Sequence, residues 1–331
     1  NNIAASNGMN LEKIFHGKKI LVAGAAGFLG TNVVRRLLAL GASVRGTIHE
    51  TPMQISTKGI EVIKADLTLR EDCARAVAGM DICVMAAAST AGAGIMDSNP
   101  LALVTPNVVM NALMLEAAYA AGVKKFVYIS SNAVYPPFDY PVKEEEMMSG
   151  PPFEKYYPIS WMKRFGEILS ETYATKIKKP MQTIVLRPAN MYGPFDDFEP
   201  ATSHMVSALI RKVVDRMQPL EVWGDGTEIK DLIYVEDFVQ GLVLALAKLE
   251  TYQPLNIGTG IPVSVRDVLE KALAVDEYTD AKIVYNTSKP TMIGKRMLDV
   301  SKAQQMLGFQ ATTLLGEGIA KTIAWYKEAR S

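Results

Sequence analysis

The chain has 331 residues, of which 49% are hydrophobic, and 35 Lys plus Arg balance 35 Asp plus Glu. That length allows a large core and one or two domains, and the neutral balance gives no reason to expect nucleic acid or an anionic membrane as a partner. The two cysteines, Cys73 and Cys83, stand in apolar stretches without ligand spacing, so they read as buried thiols and no metal site is expected.

The segment Asn1–Asn10 is polar and lacks the basic start and apolar stretch of a signal peptide. No apolar run reads as long enough for a membrane span, and a cytoplasmic protein with an N-terminal tail over 1–16 is expected. The apolar run Lys19–Ala23 reads as a strand that breaks into Gly24, Gly27 and Gly30, and the helical pattern Asn32–Leu40 follows at once. A strand, a tight turn and a helix N-terminus in that order can hold a pyrophosphate. Gly24 allows the turn, Gly27 admits the ligand without a Cβ in the way, and Gly30 lets the helix pack closely. The backbone of Phe28 and Leu29 lies beside it.

Further short strands are expected at Ser43–Ile48, Glu61–Lys64, Ile82–Ala87, Lys125–Ser130 and Thr183–Arg187. Helices are expected between them at Glu71–Val77, Val104–Ala121 and Ile159–Thr175. This alternation predicts an α/β fold with a Rossmann-type doubly wound parallel sheet. The second half is less regular, with helical patterns at Ala208–Met217, Glu236–Lys248 and Val263–Ala274. The expected division is an NAD(P)-binding domain over 17–187, with a returning strand and helix near 232–248. A smaller mixed α/β substrate domain is expected over 188–331.

The order of motifs carries a resemblance. After the G-x-x-G-x-x-G turn come A-A-A at 86–88, Y-I-S-S-N-A-V-Y at 128–135 and L-R-P-A-N-M-Y-G-P at 186–194. Then follow V-W-G-D-G-T-E-I-K-D-L-I-Y-V-E-D-F at 222–238, N-I-G-T-G at 256–260 and R-M-L-D-V-S-K-A at 296–303. Almost the whole chain thus resembles the extended short-chain dehydrogenase/reductases, the NAD-dependent epimerase/dehydratase superfamily. The run at 191–212, ending in S-H-M-V-S-A-L-I-R-K, is similar to the GDP-fucose synthase group. The resemblance implies NAD or NADP bound across the sheet, a nucleotide-diphosphate sugar as substrate, and a homodimer. It implies an epimerase, reductase or dehydratase working through a keto intermediate, most simply at C4.

The resemblance also assigns residues. Ser131 holds the place of the hydroxyl that bonds the reacting sugar oxygen. The expected helical Tyr-x-x-x-Lys is altered: anchoring on Lys163 puts Ile159 where the tyrosine belongs, and anchoring on Tyr157 puts Trp161 where the lysine belongs. The downstream match favours Lys163, with Tyr157 as first and Tyr156 as second candidate for the proton donor, or with neither serving. Residues four apart share a helix face, which is how such a lysine lowers the tyrosine pKa. His204 falls on the group's epimerisation acid, but Ala133 stands where its cysteine base belongs. An alanine takes no proton from a sugar carbon.

For the cofactor, Asp66 and Leu67 resemble the adenine-contacting pair, Ala86, Ala87 and Ala88 line the nicotinamide path, and Lys163 would hold the ribose. Ile48 stands at the family position of the acid that selects NAD, followed by His49 and Glu50, and the run S-V-R-G-T-I-H-E resembles the V-R-x-T-V-R-D of NADP-dependent reductases with His49 in place of one Arg, a slight lean to NADP. For the substrate, Asn190, Arg211, Lys212, Lys230 and Arg296, with Lys295 in reserve, suit a sugar and its diphosphate. Two other classes stay open: a catalytically silent NAD(P)-binding sensor or partner module, and a reductase of a non-nucleotide ketone.

Overall fold

A computed structural model describes residues 9–89, 99 and 101–331, so the first eight residues of the expected tail lie outside it. Residues of the tail nearest the core form a short helix instead. In α1 (Leu11–Phe15) Asn10 accepts from the backbone N–H of Lys13, and Leu11 and Phe15 are buried in the main core. Two apolar side chains four apart give this segment a face to bury.

Seven parallel strands follow the expected order closely: β1 (Lys19–Ala23), β2 (Ser43–Ile48), β3 (Ile60–Lys64), β4 (Ile82–Met85), β5 (Lys125–Ile129), β7 (Gln182–Pro188) and β11 (Leu255–Ile257). They are arranged β11-β7-β5-β4-β1-β2-β3, so the strand order reverses between β1 and β4. Strand β1 is buried on both faces. Ile20 and Val22 join one core and Leu21 and Ala23 the other, which is why it reads as a continuous apolar run. Helix α2 (Phe28–Ala39) covers the first face, and α3 (Arg70–Val77) and α4 (Leu101–Ala120) the second. Both cysteines are buried there, and burial pushes the Cys73 thiol up to about 11.

Two sequence expectations change. Helix α4 is 20 residues long and apolar enough to cross a membrane by length and composition, contrary to the reading that no run reached that length. Its residues Met114, Leu115 and Ala118 instead pack into the sheet's second core, beside α3 and α5 (Tyr157–Thr175). The returning segment also differs. Helix α7 (Val235–Lys248) does pack on the first sheet, against α2, but the strand that joins that sheet is β11. Strand β10 (Ile229–Tyr234) lies in a second sheet with β6 (Pro141–Val142), β12 (Pro262–Ser264) and β14 (Lys295–Leu298), and also pairs with β8 (Asn190–Tyr192). The alternation within β10 explains its double reading: Ile233 enters the first core, while Leu232 and Tyr234 enter a third core, apart from both cores of the first sheet. That third core is completed by α6 (Met205–Val214), α8 (Val265–Val275) and α10 (Leu315–Glu328). Strands β9 (Leu220–Trp223) and β13 (Ile283–Asn286) form a separate pair, and α9 (Ser301–Leu307) packs against α7.

Candidate active site

The glycine turn lies at the carboxyl end of β1, beside the point where strand order reverses, where open α/β sheets bind ligands. The three glycines do different work. Gly24 has φ +76°, and a Cβ there would lie 2.5 Å from Ala87 Cα. A Cβ on Gly30 would lie 1.9 Å from the Gly24 carbonyl oxygen. Gly27 alone is exposed, and a Cβ there would meet nothing nearer than 3.4 Å. Two glycines therefore permit close packing, and the third keeps space open above the turn. Gly27 also precedes the first turn of α2 with no side-chain cap, so backbone N–H groups stay available to an anion. This cradle fits a dinucleotide pyrophosphate.

The surroundings brace it. Thr47 on β2 accepts from the Gly24 N–H at 3.0 Å, and Gln54 donates to the Ala26 carbonyl at 2.8 Å. Asn107 on α4 clamps Ser89, accepting from its N–H at 2.9 Å and donating to its carbonyl at 2.8 Å. That clamp fixes the path through Ala86, Ala87 and Ala88. Asp66 accepts from the hydroxyl and N–H of Thr68, which hold its carboxyl below the usual range, and Leu67 is buried. His49 and Glu50 are both exposed after β2.

At the end of β5 the structure brings two candidates together. Lys163 on α5 donates to the Ile129 carbonyl at 2.8 Å, and Ser131 follows two residues further along the same strand end. Burial lowers Lys163 to about 8, with Glu167 pulling the other way. The Ser131 oxygen accepts from the Ala133 N–H at 3.0 Å, which starts a short 3-10 turn, and the hydroxyl donates to no acceptor among the described residues. Next to it, Asn132 donates to Pro188 O and to the Asn190 side chain at 3.3 Å, so Asn190 stands by Ser131.

The structure does not bring either tyrosine to Lys163. Tyr157 is the first residue of α5 and 53% exposed, with its ring against Trp161 four residues on. Six residues from Lys163, it points to another side of the helix. Tyr156 ends the preceding 3-10 turn and packs on Phe153. Burial pushes its phenol up to about 12, and its hydroxyl faces the Ile293 backbone and Arg296 of β14. Ile159 occupies the place one helical turn before Lys163.

Of the expected substrate residues, Asn190 and His204 are exposed. His204 immediately precedes α6. It draws the buried Asp196 carboxyl back toward ionisation after burial raises it, and Asp196 accepts from Ser207. Arg211 has a buried Nε without a partner among the described residues. The other three cations also bond within the protein, although the buried Nε of Arg296, like that of Arg211, has no partner among the described residues. Lys212 donates to Glu221 O at 2.7 Å, Lys230 donates to Ile293 O at 3.0 Å and pairs with Glu228, and Arg296 donates to Pro136 O and Tyr135 O. Lys295 is exposed.

A buried polar network escaped the sequence reading. Arg187 on β7 grips both Glu167 oxygens, at 2.9 and 2.6 Å, and also donates to Tyr135 and to Glu144 O. Ser130 donates to Glu167, Tyr135 donates to Asn256, and Glu144 accepts from the Asn256 N–H. The available signal was a glutamate four residues after Lys163 in the same helix, together with an arginine inside an apolar strand.

Cradle, sheet and strand-end serine define a dinucleotide-binding oxidoreductase-like enzyme of the doubly wound class. The sequence profile of the NAD dependent epimerase/dehydratase family matches residues 20–258, and the chain belongs to that family, as an NAD(P)-dependent enzyme of the extended short-chain dehydrogenase/reductase type. A probable GDP-L-fucose synthase 1 of Oryza sativa subsp. japonica is 28% identical over 322 residues, covering 94% of this chain and 93% of the rice protein. The UDP-glucose 4-epimerase of Thermotoga maritima, solved with UDP-glucose, superposes with a TM-score of 0.84 at 25% identity, covering 95% of this chain and all of that one. MoeE5 in complex with UDP-glucose and NAD gives a TM-score of 0.82 at 29% identity, covering 95% and 100%.

Proposed function

We propose that this protein modifies a nucleotide-linked sugar by moving hydride to and from C4 through a keto intermediate. The observation that carries the reading is the placement of Lys163 and Ser131 at the carboxyl end of β5, on the same sheet edge that carries the Gly27 turn after β1. The bound nicotinamide supplies or accepts the hydride. Ser131 donates its hydroxyl proton to the sugar oxygen as a hydrogen bond, and Asn190 helps orient the ring. Lys163 binds the nicotinamide ribose with its ammonium. Arg211 and His204 face the diphosphate and sugar from the second domain. Relatives named for GDP- and UDP-sugars support the substrate class. Ala133 removes the base for C3/C5 epimerisation, so the reaction is a C4 redox change or a dehydration begun by one.

One specific observation favours a second reading, a cofactor-binding protein with little turnover. Ile159 replaces the phenol one turn before Lys163, and Tyr157 and Tyr156 both point elsewhere. The two readings separate in one assay: purified protein is offered GDP-, UDP-, CDP- and dTDP-sugars with NAD+ or NADP+, and product mass and nicotinamide absorbance are followed. Turnover of one sugar nucleotide is expected, and cofactor binding without any turnover overturns the enzymatic reading. His49 favours NADP, a preference read as a lower Kd for NADP+ than for NAD+. Trp161, Phe165 and Ile168 form an exposed apolar stripe on α5, at the spacing of one helix face. Two copies pair through it and α4, and Phe165→Glu gives a monomer by light scattering.

A further inference from the structure

We infer that Arg187 is a positioning residue that keeps the Glu167 carboxylate away from Lys163, so that the lysine ammonium stays unpaired at the cofactor edge. The inference rests on the proposed placement of Lys163 beside the cofactor. Glu167 lies four residues after Lys163 on α5, the spacing at which lysine and glutamate pair along a helix. Both side chains turn toward the same strand end: Lys163 reaches Ile129 O, and Glu167 accepts from Ser130, the next residue. Yet the nearest partner of Lys163 is a neutral carbonyl.

The reason lies on β7. Arg187 takes both oxygens of Glu167 in a two-pronged pair in which each partner is only 2% exposed. A planar guanidinium matches a carboxylate in a way that a point-like ammonium does not. Burial works against the Arg187 charge, but Glu167 and Tyr135 outweigh it and hold the arginine above its ordinary value.

Nothing else charged replaces Glu167 at Lys163 among the described residues. From β5 it meets the Tyr128 ring, 5.5 Å from its nitrogen. On its own helix, Arg164 turns away to Val134 O and Gly150 O. The one charged residue of α4, Glu116, pairs with Arg70. In the turn before α5, Glu154 is exposed and Lys155 donates to Thr291 O. The depressed Lys163 value, near 8, agrees with an ammonium that has been buried without an ion-pair partner.

The test is calorimetric titration of the full chain with NAD+ from pH 6 to 10. A lysine whose value is lowered keeps its proton below about 8 and loses it above, so wild-type affinity should fall as pH rises through that point. Arg187→Met frees Glu167 to pair with Lys163, which should move the midpoint up by roughly one unit or more. Adding Glu167→Gln to that variant should bring it back. Arg187→Lys, which keeps a buried cation and protects the fold, should move it up by less than Arg187→Met does. A purely structural role would weaken binding equally at all pH values without moving the midpoint. An unmoved or lowered midpoint in Arg187→Met, or in Arg187→Lys if the methionine variant does not fold, overturns the inference. If Lys163→Met leaves the wild-type profile intact, the cofactor placement of Lys163 fails instead.

Discussion

The glycine turn and the first turns of α5 lie at one edge of one sheet, yet they are held by opposite means. The turn is fixed by exclusion: at Gly24 and Gly30 no side chain fits, so the backbone has one place to go. Helix α5 is fixed by attraction, through the buried Glu167–Arg187 pair one turn beyond Lys163 and the bonds of Lys163 to Ile129 O and of Arg164 to Val134 O. Its first residue, Tyr157, is exposed, with its ring against Trp161 of its own helix. Steric exclusion tolerates no change, whereas the free start of a helix can lose or move a residue without harm to the fold. The cradle can therefore stay intact while the proton-transfer position beside it changes.

Breaking the attractive anchor should have the largest effect. Glu167→Ala leaves the Arg187 charge buried without a counter-ion, which costs about 3–5 kcal/mol. Urea denaturation followed by circular dichroism would read it. A loss below about 1 kcal/mol would show that the pair does not anchor the helix. The excluded positions come next. Gly30→Ala forces a methyl to within 1.9 Å of the Gly24 carbonyl, so the turn must shift, at a cost of about 1–3 kcal/mol in the same assay. Gly27→Val sharpens the contrast, because it adds bulk where the structure leaves room. Its stability should change by less than about 1 kcal/mol. Its NAD+ affinity should fall at least tenfold, about 1.4 kcal/mol. Equal effects on stability from both glycine variants would erase the distinction between a packing glycine and a ligand glycine.

The same difference explains what could be read from the chain. The first half of the fold was legible because β1, β4 and β5 are buried on both faces and stand out as short apolar runs between helical patterns. The cradle was legible for the same reason that it tolerates no side chain. The second sheet was hard to read because β10 serves two cores, with Ile233 facing one and Leu232 and Tyr234 the other. The cations carry a different lesson. Lys212, Lys230 and Arg296 have the charge that a diphosphate wants, but their side chains end on backbone carbonyls, and only tertiary contacts decide that. The Glu167–Arg187 pair joins residues 20 apart in sequence, so neither half announced the other.

The smallest expected effect concerns the tyrosine itself. Tyr157→Phe removes one hydroxyl from an exposed ring on the stripe shared with Trp161 and Phe165, and turnover should change less than twofold. Ile159→Tyr tests the converse. It places a phenol one turn before Lys163, on the face that Lys163 shares, where the ammonium can favour the phenolate. If the proton step limits the rate, this substitution should raise turnover and move its pH dependence toward lower pH. A large loss in Tyr157→Phe together with no gain in Ile159→Tyr would mean that the start of α5 turns inward when substrate binds. The free end of the helix would then be a moving part of the site, and the contrast with the rigid cradle would be one of mobility rather than of lost chemistry.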